Sequence, residues 1–415
     1  MTAPGSFTRL LRPATAVLLA GVAITLWFSA PPEGLPPQVM HAAALVVFTI
    51  GCWATVLLAE HLVALTFFLL AMVLGVGTAP VIFSGFASPA FWLVFGGLII
   101  GAAVDRTGLG RRMANRVVGK FTGGYLSVLA GVVTVCLALG FVMPSTMGRL
   151  VLLLPIVLAF AEQLGYGPAS RGRTGLVLAT GFGSYLGPVA ILPANVPNNV
   201  LIGAAQNFHG IQIRYFDYLL VHFPVLGLLK SVVVVGVIWL LYRDTPARNP
   251  SGEELPITEV PDYWSTDEKR LAFLLGTALV LWATDSIHHV SPAWISLGAG
   301  LICLMPGVGL VPPQAFRDKV PINPLIYVAG ILGVGALVAQ SGMGEGLSQW
   351  VIGVFDLDPA RPAHNFFVLS GLSMLLGTVS TMPGVPAILT PIAGDLAAAS
   401  GLSIEAVLMT FVIGF

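Results

Sequence analysis

Charged side chains are scarce in this sequence, since Asp, Glu, Lys and Arg together make up 9% of its 415 residues. Hydrophobic residues reach 56% and the mean hydropathy is +0.91, which excludes a soluble globular protein. In place of charges the chain has a series of apolar runs of about 20 residues, long enough to cross the hydrocarbon core of a bilayer. The composition therefore predicts a polytopic membrane protein.

Cysteine and the usual enzyme signatures are also scarce. Cys52, Cys136 and Cys303 lie inside apolar runs, so we interpret them as small core residues rather than disulfide partners or metal ligands. The sequence has no CxxC, HExxH, P-loop or GxSxG motif, and no nucleophile–base pair at membrane depth. We therefore predict that the protein is not an enzyme, has no resident metal or organic cofactor, and does not bind nucleic acid.

The most informative pattern is a short motif that occurs once in each half of the chain. Residues 143–149 are Met-Pro-Ser-Thr-Met-Gly-Arg, and residues 378–384 are Thr-Val-Ser-Thr-Met-Pro-Gly. The segments upstream also match, because 95–101 (FGGLIIG) resembles 328–334 (VAGILGV). Helix-breaking, hydroxyl-bearing turns at matching places in two halves are typical of transporters built from structural repeats.

The apolar runs and their polar borders predict an all-α fold with inverted structural repeats. The first run, 14–30, could be a secretory signal peptide or an uncleaved membrane helix, and we favour the helix because every following segment is also membrane-spanning. Because Gly414-Phe415 echoes Gly181-Phe182, we expect the second repeat to be incomplete at its C-terminal end. The expected segments are a first membrane helix in 1–38, a first repeat over 39–243, a cytoplasmic linker over 244–270 and a second repeat over 271–415.

Each repeat contains one apolar unit of double length, 124–165 in the first and 364–399 in the second. Lys120 precedes the first unit and Arg171 follows it on the same side of the membrane, so the chain must enter and return. We interpret both units as re-entrant helical hairpins. The segment 174–206 is expected to be a transmembrane helix that its prolines break.

Lysine and arginine lie almost entirely on one side of the predicted membrane. If the N-terminus is cytoplasmic, the opposite side receives only Arg214 and Arg361. Since positively charged loops stay in the cytoplasm, we predict a multi-pass inner-membrane protein with a cytoplasmic N-terminus. Two amphipathic stretches, 108–121 and 342–355, hold matching positions and are expected to lie at opposite membrane interfaces.

The two hairpin tips, with the broken helix, are the candidate binding site. A helix that breaks inside a bilayer frees N–H groups, which suit a carboxylate or sulfate, and carbonyls, which suit a cation. The tip hydroxyls could serve either ion, or each Ser-Thr pair could only cap the returning half-helix. The predicted substrate-binding residues are Ser145, Thr146, Met147, Asn198, Asn199, Ser380, Thr381 and Met382, and the predicted Na⁺ ligands are Ser145, Thr146, Gly187, Pro197, Ser380 and Thr381.

Arg149 is the charged residue next to a tip. A charge near the bilayer centre costs about 2.5–3.5 kcal/mol on insertion scales, so it is expected to have a use. It could contact the anion, pair with Glu162 or snorkel to the interface. Because it follows the tip serine by one helical turn, we expect it to orient the tip rather than to touch the substrate.

The motifs resemble those of the divalent anion–sodium symporter (DASS) family, within the ion transporter superfamily. That family has Ser-Asn-Thr at two hairpin tips, where this sequence has Ser-Thr-Met at 145–147 and 380–382, and its Thr-Pro-Pro-Asn segment is matched by 196–199. The resemblance implies a secondary active transporter, most simply Na⁺-coupled symport of a di- or tricarboxylate or sulfate by an elevator-type mechanism, in a homodimer.

The departures from the family pattern bear on both ions. Thr146 and Thr381 keep an oxygen for a cation, whereas Met147 and Met382 remove a donor from the anion and are poor Na⁺ ligands. The alternative within the superfamily is a Na⁺/H⁺ antiporter or an arsenite-type carrier. A buried acidic pair near the hairpins would favour proton exchange, and Asp395 is the candidate acid at membrane depth.

Overall fold

The structure is a computed structural model that describes residues 6–31, 35–36, 38–118, 124–143, 145–245 and 263–415. Within these ranges it contains helices and no β-strand, so the all-α prediction is confirmed. In the N-terminal half the helices are α1 (Ser6–Phe28), α2 (Gln38–Ala54), α3 (Glu60–Val73), α4 (Ala79–Ile82), α5 (Ser84–Ala87), α6 (Pro89–Thr107), α7 (Leu109–Val118), α8 (Tyr125–Gly140), α9 (Thr146–Gln163), α10 (Arg171–Tyr185) and α11 (Val196–His209).

The C-terminal half is also helical over its described residues. Its helices are α12 (Tyr215–His222), α13 (Lys230–Leu241), α14 (Thr266–Ala283), α15 (Asp285–His288), α16 (Pro292–Leu304), α17 (Pro313–Lys319), α18 (Asn323–Gln340), α19 (Met343–Phe355), α20 (Pro362–Val379), α21 (Gly384–Leu389), α22 (Ala393–Ser400) and α23 (Ile404–Phe411).

Four helical segments of the described chain are long and apolar enough to cross a membrane, judged by length and composition. They are Pro89–Thr107, Thr146–Gln163, Tyr215–Leu241 and Asn323–Gln340. The third consists of α12 and α13 joined by the π-helical turn Phe223–Leu229, which begins at a proline-containing step. Shorter apolar helices of 10–17 residues accompany these four, in part because the predicted double-length units are interrupted.

The chain forms two compact units. Unit 1 combines Met1–Phe91, Pro197–Ile213 and Ile322–Phe415, and unit 2 combines Trp92–Val196 with Arg214–Pro321. Each unit thus draws helices from both halves of the sequence. The repeat boundaries at 38, 243 and 270 stay predictions, and Lys120, Pro144 and most of the predicted linker lie outside the described residues.

Unit 1 is built around α18, and small residues let its neighbours approach closely. A Cβ on Gly85 of α5 would lie 2.2 Å from the carbonyl oxygen of Ala329, and one on Gly330 would lie 2.5 Å from Cβ of Ala64 on α3. Helices in membranes associate through such small-residue contacts, because lipid supplies no hydrophobic driving force between them. The position of α18 is therefore fixed by contacts that no larger residue would permit.

In unit 2 the first hairpin is fixed against the broken helix. Gly183 of α10 faces Cys136 of α8, where an added Cβ would lie 3.2 Å from the cysteine Cβ. At the other end of this pair Tyr125 donates its hydroxyl to the Gly172 carbonyl over 3.1 Å. The end of α8 and the end of α10 are therefore held side by side, which positions the first tip.

The residues that precede matching helices are of the same type and occur in the same order in the two halves of the chain. The helices α7 and α19 follow Gly108 and Gly342, whose φ angles of +80° and +82° suit glycine. Ser170 and Ser403 are the N-caps of α10 and α23, and each serine side chain accepts a backbone N–H of the first turn. These matches support a duplicated chain, while the inverted orientation of the repeats stays a prediction.

A buried ion pair in unit 2 joins the amphipathic helix α7 to the start of α14. Arg112 donates Nε and Nη2 to the two carboxylate oxygens of Glu268 over 2.7 and 3.0 Å. Glu268 also completes a capping box with Ser265. The guanidinium hydrogen bonds hold the pKa of Glu268 below its ordinary value. Arg112 and Arg116 both lie over the ring of Trp264, at 5.5 and 5.4 Å.

Candidate functional site

The first tip is the break between α8 and α9. Ser145 has an extended backbone, with φ −142° and ψ 109°, and its Oγ accepts the N–H of Gly148 over 3.1 Å. The capping role considered above is therefore present. A serine hydroxyl that accepts one hydrogen bond still has its own hydrogen to donate, so capping leaves Ser145 able to bind an anion.

The first tip is also accessible. Ser145 and Thr146 are half-buried, and Met147 is 67% exposed. An unbranched thioether in this place can adapt its shape to a bound molecule. Its softness makes it a poor partner for Na⁺.

Arg149 lies behind the first tip and is completely buried, with an exposure of 0%. It donates to the carbonyl of Met143, to the carbonyl of Ala194 over 3.1 Å, and twice to the carbonyl of Ser184, over 3.3 and 2.8 Å. Its Nη2 also lies 3.2 Å from Thr146 Oγ1. These bonds join the Met143 carbonyl, which precedes the break, to Thr146, which follows it. Arg149 therefore orients the first tip.

Two of the other roles considered for Arg149 do not match its contacts. Its complete burial leaves no snorkelling path to the interface. Glu162 instead pairs with Arg173, across 2.8 Å.

The break predicted within 174–206 occurs between α10 and α11. After Tyr185 the chain makes two 3₁₀ turns, Pro188–Ala190 and Leu192–Ala194, and helix resumes at Val196. The carbonyl of Gly187 accepts the N–H of Ala190 over 3.1 Å. Pro197 falls in the first turn of α11, where its missing N–H is not needed.

Arg149 takes two of the carbonyls that this break releases, those of Ser184 and Ala194. These two carbonyls could not be identified as site groups from the sequence, because any residue type can present a backbone acceptor.

The second tip, in unit 1, is the break between α20 and α21. Ser380 is extended, with φ −125° and ψ 171°, and the turn closes with a 2.8 Å bond from the Gly384 N–H to the Thr381 carbonyl. A Cβ on Gly384 would lie only 2.3 Å from Ser380 Oγ. Ser380 and Thr381 are half-buried, and Met382 is 37% exposed.

A tyrosine that the sequence analysis missed supports the second tip. The hydroxyl of Tyr327 on α18 lies 2.9 Å from Thr381 Oγ1. The tyrosine is buried, and its ring meets the edge of Trp53 at a centroid distance of 5.3 Å. A lone tyrosine in an apolar helix is a signal that could have identified it, since a buried Tyr hydroxyl usually has a partner.

Asn198 and Asn199 lie in the first turns of α11 and are buried, with exposures of 0% and 2%. Asn199 Oδ1 has no hydrogen-bond partner among the described residues. A buried amide oxygen without a partner carries a desolvation cost, so it is a candidate ligand atom.

The contacts between α11 and α18 show that Asn199 lies near the N-terminal end of α18. A Cβ on Gly203 would lie 3.5 Å from Leu332 Cδ1, and further along both helices one on Gly335 would lie 3.4 Å from the ring of Phe208. The two helices therefore run in the same direction. Asn199, one turn before Gly203, lies toward the end of α18 that carries Tyr327.

The predicted site residues are thus divided between the units. Unit 2 holds the first tip with Arg149 and Gly187, and unit 1 holds the second tip with Pro197, Asn198 and Asn199. The expected meeting of Ser145 with Ser380 stays a prediction.

The acids proposed for proton exchange do not form a buried pair in the described hairpins. Asp395 is exposed. Glu162 is paired with Arg173, and its side chain is 46% exposed.

Interrupted helices with hydroxyl-bearing tips, in a polytopic all-α chain, define a secondary membrane transporter. A protein-family model described as "Citrate transporter" matches residues 43–414, and the chain belongs to this family. The predicted relation to the ion transporter superfamily is thereby confirmed, as is the prediction that the protein is not an enzyme.

Relatives with similar sequences come from bacteria. A membrane protein of Cupriavidus necator is 25% identical over 430 aligned positions, which cover 97% of this chain and 81% of that one. The putative malate transporter YflS of Bacillus subtilis is 23% identical over 336 positions, covering 79% and 70%. The L-tartrate/succinate antiporter of Escherichia coli K12 is 29% identical over 270 positions, covering 62% and 54%.

Among solved structures, the YdaH transporter of Alcanivorax borkumensis aligns with 98% of this chain and 86% of its own, at a TM-score of 0.47 and 14% identity.

Proposed function

We propose that the protein carries a di- or tricarboxylate across the cytoplasmic membrane and couples its movement to a cation, with Na⁺ as the first candidate. The observation that carries this proposal is the charge of Arg149. The ion pairs of the described residues do not include it, so its buried charge meets only neutral oxygens. An uncompensated cation in a low-dielectric setting attracts an anion to the tip beside it.

Dicarboxylates are the first substrates to consider. The family is described as citrate transporters, and two relatives are named for malate and for tartrate and succinate. These molecules share two carboxylates on a short carbon chain, and each carboxylate can accept hydrogen bonds from hydroxyl and N–H donors. The two tips carry such hydroxyls on the half-buried residues Ser145 and Ser380.

The surroundings of the acidic residues in the hairpins favour coupling to Na⁺ over coupling to protons. Proton exchange would call for a buried carboxyl group near a tip, whereas Asp395 is exposed and Glu162 is ion-paired. Exchange of one dicarboxylate for another is a second candidate, which the name of the antiporter relative favours. The distribution of Lys and Arg supports a cytoplasmic N-terminus, and the DASS resemblance supports an elevator-type mechanism in a homodimer.

A thermal-shift screen of the purified protein tests the proposal. Succinate, malate, tartrate, citrate and sulfate would each be titrated in Na⁺ and in choline at fixed pH. A ligand present at 100 times its Kd adds about 2.7 kcal/mol of stability, which is readily seen as a higher Tm. We expect a carboxylate to raise Tm, and to do so at lower concentration in Na⁺. No shift with any carboxylate in either cation would contradict the proposal.

Uptake into proteoliposomes then separates symport from exchange. Symport requires an inward Na⁺ gradient and empty vesicles suffice. Exchange requires a dicarboxylate inside the vesicles and is insensitive to the gradient.

A further inference from the structure

We propose that the cavity between the start of α8 and the end of α13 binds the headgroup of an anionic phospholipid. The cavity has a volume of about 510 Å³. One wall is the first turn of α8, over 124–126, and the other is formed by Trp239 and residues 243–245. Both walls belong to unit 2. The inference does not depend on which substrate the protein carries.

The cavity lies at one end of a membrane span. The apolar segment Tyr215–Leu241 ends two residues before Arg243. Trp239 lies in the last turn of this segment and Tyr242 directly follows it, as is usual where membrane helices reach the lipid headgroups. The distribution of Lys and Arg predicts that this end is cytoplasmic, and the cytoplasmic leaflet carries anionic lipids. Lipid phosphates are therefore at the depth of the cavity.

Arg243 gives the cavity a positive charge that no acidic residue neutralises. Its guanidinium carbon lies 4.3 Å from the centroid of the Trp239 ring, and the side chain is exposed. Among the described residues Arg243 takes part in no hydrogen bond or ion pair. Stacking on the indole restricts the guanidinium while its N–H groups stay able to donate. A guanidinium can bind phosphate through two parallel hydrogen bonds.

The carboxylate of Asp244, which also lines the cavity, is bonded to backbone groups instead. Its Oδ2 accepts the Gly172 N–H over 2.8 Å, and its Oδ1 accepts the Thr245 N–H over 2.9 Å. A second guanidinium reaches the same end of α13, because Arg171 donates Nη2 to the Leu241 carbonyl over 2.7 Å. Two arginines and one carboxylate leave an excess of one positive charge, which matches the single negative charge of a lipid phosphodiester.

The apolar residues at the cavity favour a phospholipid over a soluble anion. Leu126 lies in the cavity wall and is 46% exposed. Leu240 and Leu241, which precede Arg243 at the end of the span, are also exposed. A ligand that satisfies both parts of the cavity needs a charged group beside Arg243 and a hydrocarbon chain beside the leucines. A phospholipid has both, whereas a free phosphate has only the first.

Thermal shift of the purified full chain in a neutral detergent tests the inference. Phosphatidylglycerol, phosphatidylcholine with the same acyl chains, and soluble glycerol 3-phosphate are titrated in separate series. We expect phosphatidylglycerol to raise Tm and the other two to leave it unchanged at the same concentrations. Equal stabilisation by phosphatidylcholine would show that the acyl chains alone bind. Equal stabilisation by glycerol 3-phosphate would assign the cavity to a soluble anion, and either result would overturn the inference.

Variants of the stacked arginine test where the charge acts. Arg243→Gln should weaken phosphatidylglycerol binding about fivefold, which corresponds to about 1 kcal/mol, and Arg243→Lys should weaken it less. Arg317→Gln is the matched control, because Arg317 is an exposed arginine of unit 2 with no hydrogen bond or ion pair among the described residues. It should change the affinity by less than about twofold. Equal losses in Arg243→Gln and Arg317→Gln would overturn the inference.

Thiol protection locates the bound lipid. The native cysteines are buried, so Thr245→Cys, at an exposed position in the cavity wall, adds one accessible thiol. Phosphatidylglycerol should slow maleimide labelling at this position. It should leave the rate unchanged in Ile287→Cys, at a position that is 77% exposed and outside the cavity. An unchanged rate in Thr245→Cys, under conditions where phosphatidylglycerol raises Tm, would place the lipid elsewhere and overturn the inference.

Discussion

The glycine after the second tip offers a steric perturbation whose target is a single hydroxyl. A Cβ added by Gly384→Ala would lie 2.3 Å from Ser380 Oγ and 3.3 Å from Thr381 Oγ1. Contacts under 3 Å do not persist, so the serine side chain must rotate about its one free bond. The clash meets no backbone atom, and the fold can absorb it.

The two consequences differ in size. Alanine lowers the conformational entropy of the unfolded chain, which stabilises the fold, whereas crowding at the tip destabilises it. We therefore expect the free energy of unfolding to change by less than about 1 kcal/mol and Tm to change little. A hydrogen bond to a charged ligand contributes about 1.5–3 kcal/mol. Turning the Ser380 hydroxyl away should therefore weaken ligand binding roughly 10- to 150-fold.

Titration of carboxylate and Na⁺ by thermal shift measures both effects in one experiment. Gly371→Ala on α20 is the matched control, because a Cβ there meets nothing within 4 Å. Gly148→Ala probes the first tip, where the Cβ would be 3.2 Å from Ser145 Oγ, and its effect should be smaller. A Gly384→Ala protein with wild-type affinity and wild-type Tm would refute the role of the Ser380 hydroxyl.

Three further predictions concern buried polar groups. Asn199→Leu should abolish uptake while Tm is kept or raised, because it removes a buried oxygen without a partner, and unchanged uptake would remove Asn199 from the site. Since Arg112 holds the pKa of Glu268 low, this carboxylate stabilises the fold fully above the ordinary Glu pKa of about 4.3, and the contribution is lost as pH falls below it. Glu268→Gln should flatten the fall of Tm between about pH 5 and pH 3, and an equally steep fall would assign it to other groups. Asn365→Leu removes the 2.9 Å bond from Nδ2 to the Ser400 carbonyl together with two bonds to the Asp358 backbone, which should cost about 1–3 kcal/mol, and an unchanged Tm would show that these bonds do not stabilise the second hairpin.

The helical breaks were predictable because proline and glycine act locally. The sequence predicted an interruption inside 124–165, and α8 and α9 are separated at 141–145. It predicted another inside 174–206, and helix is replaced there by two 3₁₀ turns. A proline removes its own N–H and clashes with the preceding turn, which favours a break at that position, although α9 continues through Pro155.

The partners of the tips were not predictable in the same way. Arg149 binds backbone carbonyls from distant segments, and Tyr327 reaches Thr381 from another helix. Such pairs depend on how helices pack, which periodicity does not specify. The grouping of Pro197–Ile213 with the C-terminal helices in unit 1 has the same origin, since it follows from tertiary contacts.

Protection of cysteines at the two tips tests the central claim, that a carboxylate binds where the helices break. The native cysteines are buried, so Met147→Cys and Met382→Cys each add one accessible thiol, and Ile287→Cys, at a position 77% exposed, is the control. The measurement is the rate of maleimide labelling in Na⁺, with and without a carboxylate that raises Tm. We predict that the carboxylate slows labelling at both tips and leaves the control rate unchanged. Unchanged rates at both tips, under conditions where the carboxylate binds, would contradict this account of the site.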